Sequence, residues 1–103
     1  MEKISVKDNI VFTENKFNIR NLITEADYRM FVLNLRDGQK VPEHAAPGTV
    51  TIYVVEGRVM VAVGEEKGEL AAKEAVRCAP GALHRVEALE DSVLLVLITG
   101  RAK

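Results

Sequence analysis

Along Tyr28–Leu35 (YRMFVLNL) side chains fall alternately on two faces, Phe31, Leu33 and Leu35 on one and Met30, Val32 and Asn34 on the other. Alternation with period two is the pattern of a β-strand whose faces meet different surroundings. Arg58–Val63 (RVMVAV) alternates in the same way, with Val59, Val61 and Val63 together. Thr49–Val55 (TVTIYVV) is rich in β-branched residues, and Glu56-Gly57 joins it to the next strand as a tight hairpin. Gly64–Gly68 reads as a longer turn. Ser92–Thr99 (SVLLVLIT) is apolar on both faces and is predicted to be buried on both sides. A barrel wall would cover one side, and a second layer or a partner subunit the other. Asn9–Phe12 (NIVF) and Phe17–Ile23 (FNIRNLI) read as further strands, either at an edge or in an arm crossing to a partner.

Gly and Pro separate these runs at Asp37-Gly38, Pro42, Pro47-Gly48, Gly64, Gly68, Pro80-Gly81 and Gly100. Short β-rich runs between such breaks predict an all-β sandwich or barrel. Residues 68–78 (GELAAKEAVRC) resist the pattern. Their Glu, Leu, Ala and Lys content favours a helix, yet the apolar stripe is weak and the segment short, so helix and strand both stay open.

No linker or repeat divides the 103 residues, which predicts one domain over 1–103, with 28–99 as the barrel core and 1–27 as N-terminal strands or an arm. The net charge is −1 and the basic residues are scattered, so neither nucleic acid nor a membrane surface is an expected partner. One cysteine, Cys78, rules out an internal disulfide. The N-terminus lacks an apolar leader, and Val93–Ile98 is too short to span a bilayer, so a cytoplasmic protein is expected. There are two histidines, His44 and His84, which limits an all-histidine metal site to two ligands in each chain.

The two histidines stand in a pattern of their own. Gly38 is followed by His44, then by YVVEG ending at Gly57; later PGALH ends at His84. This order resembles the cupin superfamily, over residues 28–99. In that family the first motif places a second His where this chain has Ala46 and a Glu where it has Val50. The second motif opens with a Gly, here Lys73, has a Pro where Ala79 stands, and closes with an Asn, here Ala88. The stretch EHAAPG is similar to a subgroup of small cupins with His-x-x-Pro-Gly in the first motif. The resemblance implies a cupin-type antiparallel β-barrel, a jelly roll or double-stranded β-helix. It also implies metal ligands at positions 44, 46, 50 and 84, of which His44 and His84 remain.

Imidazoles suit Zn, Fe, Mn, Ni or Cu, but stable sites normally need a third ligand. Cys78 is a candidate if its strand turns it inward, although a buried Cys is usually inert. Gln39 could reach in from the preceding loop, whereas Glu43 should point away from its neighbour His44. Without metal, the same positions make a small-molecule pocket. Val50, Ile52 and Val54 would form one wall and Phe31, Leu33 and Leu35 the facing one, with His44 and His84 as the polar end. A small organic acid or a carbonyl compound would suit two imidazoles. Lys73, Arg85 and the Glu65-Glu66-Lys67 turn read as solvated. Small-molecule binding by a homodimer is therefore the leading expectation. The competing ones are a metal-dependent oxygenase, isomerase or lyase with an unusual ligand set, and a purely structural protein.

Overall fold

The computed structural model describes residues 1–100. Its strands are β1 (Asn18–Thr24), β2 (Tyr28–Leu35), β3 (Lys40–His44), β4 (Thr49–Glu56), β5 (Arg58–Val63), β6 (Glu66–Ala71), β7 (Ala75–Cys78), β8 (His84–Ala88) and β9 (Ser92–Thr99). One sheet has the order β1-β2-β9-β4-β7 and the other β3-β8-β5-β6. Every pairing is antiparallel. The fold is all-β, as the strand pattern predicts, and it is the jelly roll that the cupin resemblance implies. No helix among the described residues is long and apolar enough to cross a membrane.

The alternating runs set the core. Leu33, Leu94 and Val54 lie side by side across β2, β9 and β4, as do Phe31, Val96 and Ile52 in the neighbouring row. These residues are buried against Val59, Val61 and Val86 of the other sheet. Each such burial stabilises the fold by about 1.5–3 kcal/mol relative to exposure.

The second face of β9 is covered in part by the chain itself. The N-terminal segment forms a 3-10 turn at Lys7–Asn9 and lies over the outer side of β1 and β2. Asn34 Nδ2 donates to the Asn9 carbonyl at 2.9 Å, Arg20 Nε to Asn9 Oδ1 at 3.3 Å, and Gln39 Nε2 to the Thr13 carbonyl at 2.8 Å. Beneath it Val32, Asn34 and Val93 are buried, while Leu95 and Leu97 further along β9 are half-buried. The strand predicted at Asn9–Phe12 is therefore absent. That segment is anchored by side chains across a sheet face and joins no ladder. The strand predicted at 17–23 is β1, an edge strand.

Residues 68–78 are not a helix. They belong to β6 and β7, divided by a turn. Arg58–Val63 pairs with Glu66–Ala71, and Val50–Tyr53 pairs with Ala75–Cys78. Helix propensities differ by less than about 1 kcal/mol per residue among ordinary side chains, so two ladders of long-range pairing override them. The turn is fixed by Lys73 N–H donating to the Val54 carbonyl at 2.7 Å and by Glu74 Oε1 accepting from Ala71 N–H at 2.8 Å. Lys73 there has φ +71°. The same ladder shortens the turn expected at Gly64–Gly68, because β6 begins at Glu66.

At the opposite end, the β4–β5 hairpin closes on β9. Gly57 has φ +91°, and a Cβ there would collide with Ser92 Oγ and the Asp91 carbonyl. Ser92 Oγ accepts from Arg58 N–H at 3.0 Å and lies 2.8 Å from the Glu90 carbonyl, to which it donates.

Candidate functional site

His44 ends β3 and His84 begins β8, and the two are direct partners in the β3–β8 ladder. Facing residues in an antiparallel pair project to the same side. The ladder shifts between Val41 and His44, where Pro42 sits on an edge strand that can spare its N–H. The loop before His84 turns at Gly81, with φ +78°, and Gly81 N–H donates to the Ala46 carbonyl at 2.9 Å. The loops flanking the two histidines are thus tied together. The ring centroids are 4.2 Å apart at 61°.

Each ring is oriented by its own strand. His44 Nδ1 lies 2.9 Å from the Pro42 carbonyl and His84 Nδ1 3.1 Å from the Ala82 carbonyl. A carbonyl oxygen only accepts, so both Nδ1 atoms carry the proton. In the neutral rings, each distal Nε2 is then a bare lone pair. His84 is 2% exposed, and burial holds its pKa below the ordinary histidine value; the Ala82 bond opposes this and the nearby His44 adds to it. His44 is exposed at the mouth.

The two histidines, with Phe31, Leu33, Val50 and Ile52, line one cavity of about 70 Å³. Phe17, Ile19, Val41, Val96 and Ile98 complete its wall. Val96 and Ile98 belong to the strand whose sequence marks it as buried and not as part of a site; Phe17 and Ile19 come from the N-terminal region, and only the strand pairing brings them here. Val54 and Leu35 lie deeper in the core and do not reach the cavity. Cys78 is buried beside Val50 in the β4–β7 ladder but does not line the cavity. Burial pushes its thiol pKa up, which keeps it protonated and a poor ligand. Gln39 is turned away, with Nε2 on the Thr13 carbonyl and Oε1 accepting from Arg36 N–H at 2.8 Å. Glu43 is exposed and lines neither cavity.

This donor set does not fit a resident metal of the kind the family motif implies. Val50 presents an isopropyl group where the motif has a carboxylate, and Ala46 a methyl group where it has a second imidazole. Among the described residues, no three His, Cys, Asp or Glu side chains are placed to hold an ion together. A larger cavity of about 310 Å³ opens between the free edges of β6 and β7, with Val61, Val63, Leu70 and Val76 at its floor. Its polar lining is Glu66, Lys67, Glu69 and Arg77, and both histidines line the smaller cavity instead.

Comparison with known proteins agrees with this architecture. No curated protein matches the chain in sequence. Among solved structures, TT1209 from Thermus thermophilus is 28% identical, with a TM-score of 0.88 over 98% of this chain and 99% of that one. An RmlC-like cupin from Desulfovibrio desulfuricans is 20% identical, with a TM-score of 0.87 over 96% of each chain. KdgF from Halomonas sp. is 20% identical, with a TM-score of 0.81 over 100% of this chain and 97% of that one. The last two likenesses show a shared fold. The family model described as Cupin domain matches residues 31–100, and the chain belongs to that family.

Proposed function

We propose that this cupin binds a small organic molecule through His44 and His84 and does not depend on a bound metal. One observation carries the reading: both Nδ1 atoms are held by backbone carbonyls, which leaves two lone pairs in a cavity otherwise walled by hydrocarbon. Such a pair accepts hydrogen bonds. A neutral carbonyl compound offers no donor to it, so a ligand hydroxyl, enol or N–H is the better match. The cavity is about half the ~150 Å³ that accommodates benzene in an engineered protein. It suits the head of a small ligand, with any remainder reaching out past exposed His44.

The test is calorimetric titration of small alcohols, enols and N–H heterocycles against wild type, His44→Ala and His84→Ala. Binding that both substitutions abolish supports the reading, and binding that survives both refutes it. Elemental mass spectrometry of tag-free protein tests the metal clause. Near-stoichiometric metal that disappears in His84→Ala would restore the metal-enzyme reading. A homodimer is proposed as well, supported by the half-buried Met30, Leu95 and Leu97 on the outer face of the larger sheet. Light scattering showing a monomer at micromolar concentration would refute it. A reducing, cytoplasmic setting suits the lone free thiol of Cys78.

A further inference from the structure

A cation stands beside the two-histidine cavity. Arg29 precedes Phe31 by two residues in β2, so both lie on the same face of the strand; Arg29 is half-buried and stands outside the cavity wall that Phe31 lines. Its ladder partner is Ile98, which lines the cavity as Phe31 does. The guanidinium carbon lies 4.4 Å from the centroid of the Phe31 ring, a cation–π stack. Arg29 Nε donates to Asn21 Oδ1 at 3.0 Å, and Asn21 Nδ2 in turn donates to Thr24 Oγ1 at 2.6 Å. Asn21 is itself the ladder partner of Phe31. The guanidinium is therefore held on one flat face and along one edge.

Among the described residues, no carboxylate forms an ion pair with it. The ion pairs among the described residues are Lys40–Glu87 and Arg58–Glu69. Glu25 and Asp27, in the adjacent β1–β2 turn, are exposed and make no ion pair with Arg29. The terminal N–H groups of Arg29 form the fork that reads a carboxylate with two parallel hydrogen bonds.

We infer that the ligand is a small hydroxy acid, with its hydroxyl donating to one imidazole Nε2 and its carboxylate held by Arg29. The inference rests on the two-histidine reading above and adds the acidic group to it. It places one recognition element on each sheet: β3 and β8 read the hydroxyl, and β2 reads the charge. A 2-hydroxy acid or a 3-hydroxy acid meets this requirement, and its methyl ester lacks the charge that Arg29 would read.

The experiment titrates lactate, 3-hydroxybutyrate and their methyl esters against wild type, Arg29→Gln, Arg29→Lys and His84→Ala. The readout is calorimetry together with the His84 ring proton shifts. Wild type should bind an acid at least roughly tenfold more tightly than its ester, the difference a charge-assisted pair supplies. Arg29→Gln should remove that preference and leave ester binding intact, which also shows that the variant is folded. Arg29→Lys should restore part of the preference, since it keeps the charge and loses the fork. His84→Ala should lose acid and ester alike. Histidine-dependent binding with no preference for the acid, or a preference unchanged in Arg29→Gln, overturns the role of Arg29 and leaves the two-histidine reading standing. Absence of histidine-dependent binding for all four compounds overturns both.

Discussion

Replacing Lys73 with Gly should stabilise this protein. Lys73 stands where the cupin motif has a glycine, and its φ of +71° explains the motif's preference. An L-residue in the left-handed region loses about 1–2 kcal/mol through the approach of Cβ to the following carbonyl. Glycine avoids that strain but gives up about 0.5–1 kcal/mol more backbone entropy on folding. At the midpoints of these ranges the net gain is about 0.75 kcal/mol. For a domain near 100 residues, 1 kcal/mol moves Tm by about 4–8 °C, so the rise should be about 3–6 °C. The exposed Lys73 side chain makes no ion pair among the described residues, so little else changes. The Lys73 N–H bond to Val54 also survives the substitution. Lys73→Ala is the control, since it removes the same side chain and keeps the strain. The assay is thermal and urea unfolding of the three proteins in one buffer. If Gly is no more stable than Ala at this position, the strain argument is wrong.

Two other perturbations probe the frame and the site. Gly57→Ala should destabilise by about 3 kcal/mol or more, because the added Cβ meets both a positive φ and the Asp91–Ser92 backbone; a urea midpoint within error of wild type would contradict the close approach. Burial depresses the pKa of folded His84, whereas unfolding returns it to about 6.5. Below about 6.5 the unfolded chain takes up a proton that the native state resists, so stability falls as pH drops from there through the native pKa; above about 6.5 this group contributes nothing. Comparison of wild type with His84→Gln at pH 7.5, 6.5 and 5.5 should show wild type losing ground on acidification; a gain would mean that the folded pKa is raised.

The strands legible in the sequence are those that packing shapes. β2, β4 and β5 declare themselves through alternation or β-branching, and β9 through an apolar run with both faces covered. β6 and β7 do not. They are sheet edges, most of their side chains face solvent, and nothing in Glu-Leu-Ala-Ala-Lys-Glu-Ala marks them as extended. Their conformation comes from β5 and β4, and the turn between them uses a lysine in a glycine's conformation. The N-terminal segment is similar: Ile10 and Phe12 look strand-like, but the Asn34 amide and the Gln39 side chain hold the segment across a face. At the site, motif spacing brought out His44, His84 and the lost ligand at Val50. Arg29 stayed hidden because a cation in an alternating strand reads as solvent-facing. Its position beside the cavity depends on Phe31 and Asn21, which only the folded sheet brings around it.

The place of β9 at the centre of the larger sheet has a consequence for how the molecule is made. β9 lies between β2 and β4, yet it follows every other described strand in the chain. Until it emerges, β2 and β4 cannot be bridged, and Phe31, Leu33, Ile52 and Val54 lack the neighbours that bury them. Closing the sheet then requires contacts between distant parts of the chain, the class of topology that folds slowly. Nascent chains stalled before Ser92 should be the species most in need of a chaperone, since they expose two unpaired, largely apolar strand edges at once.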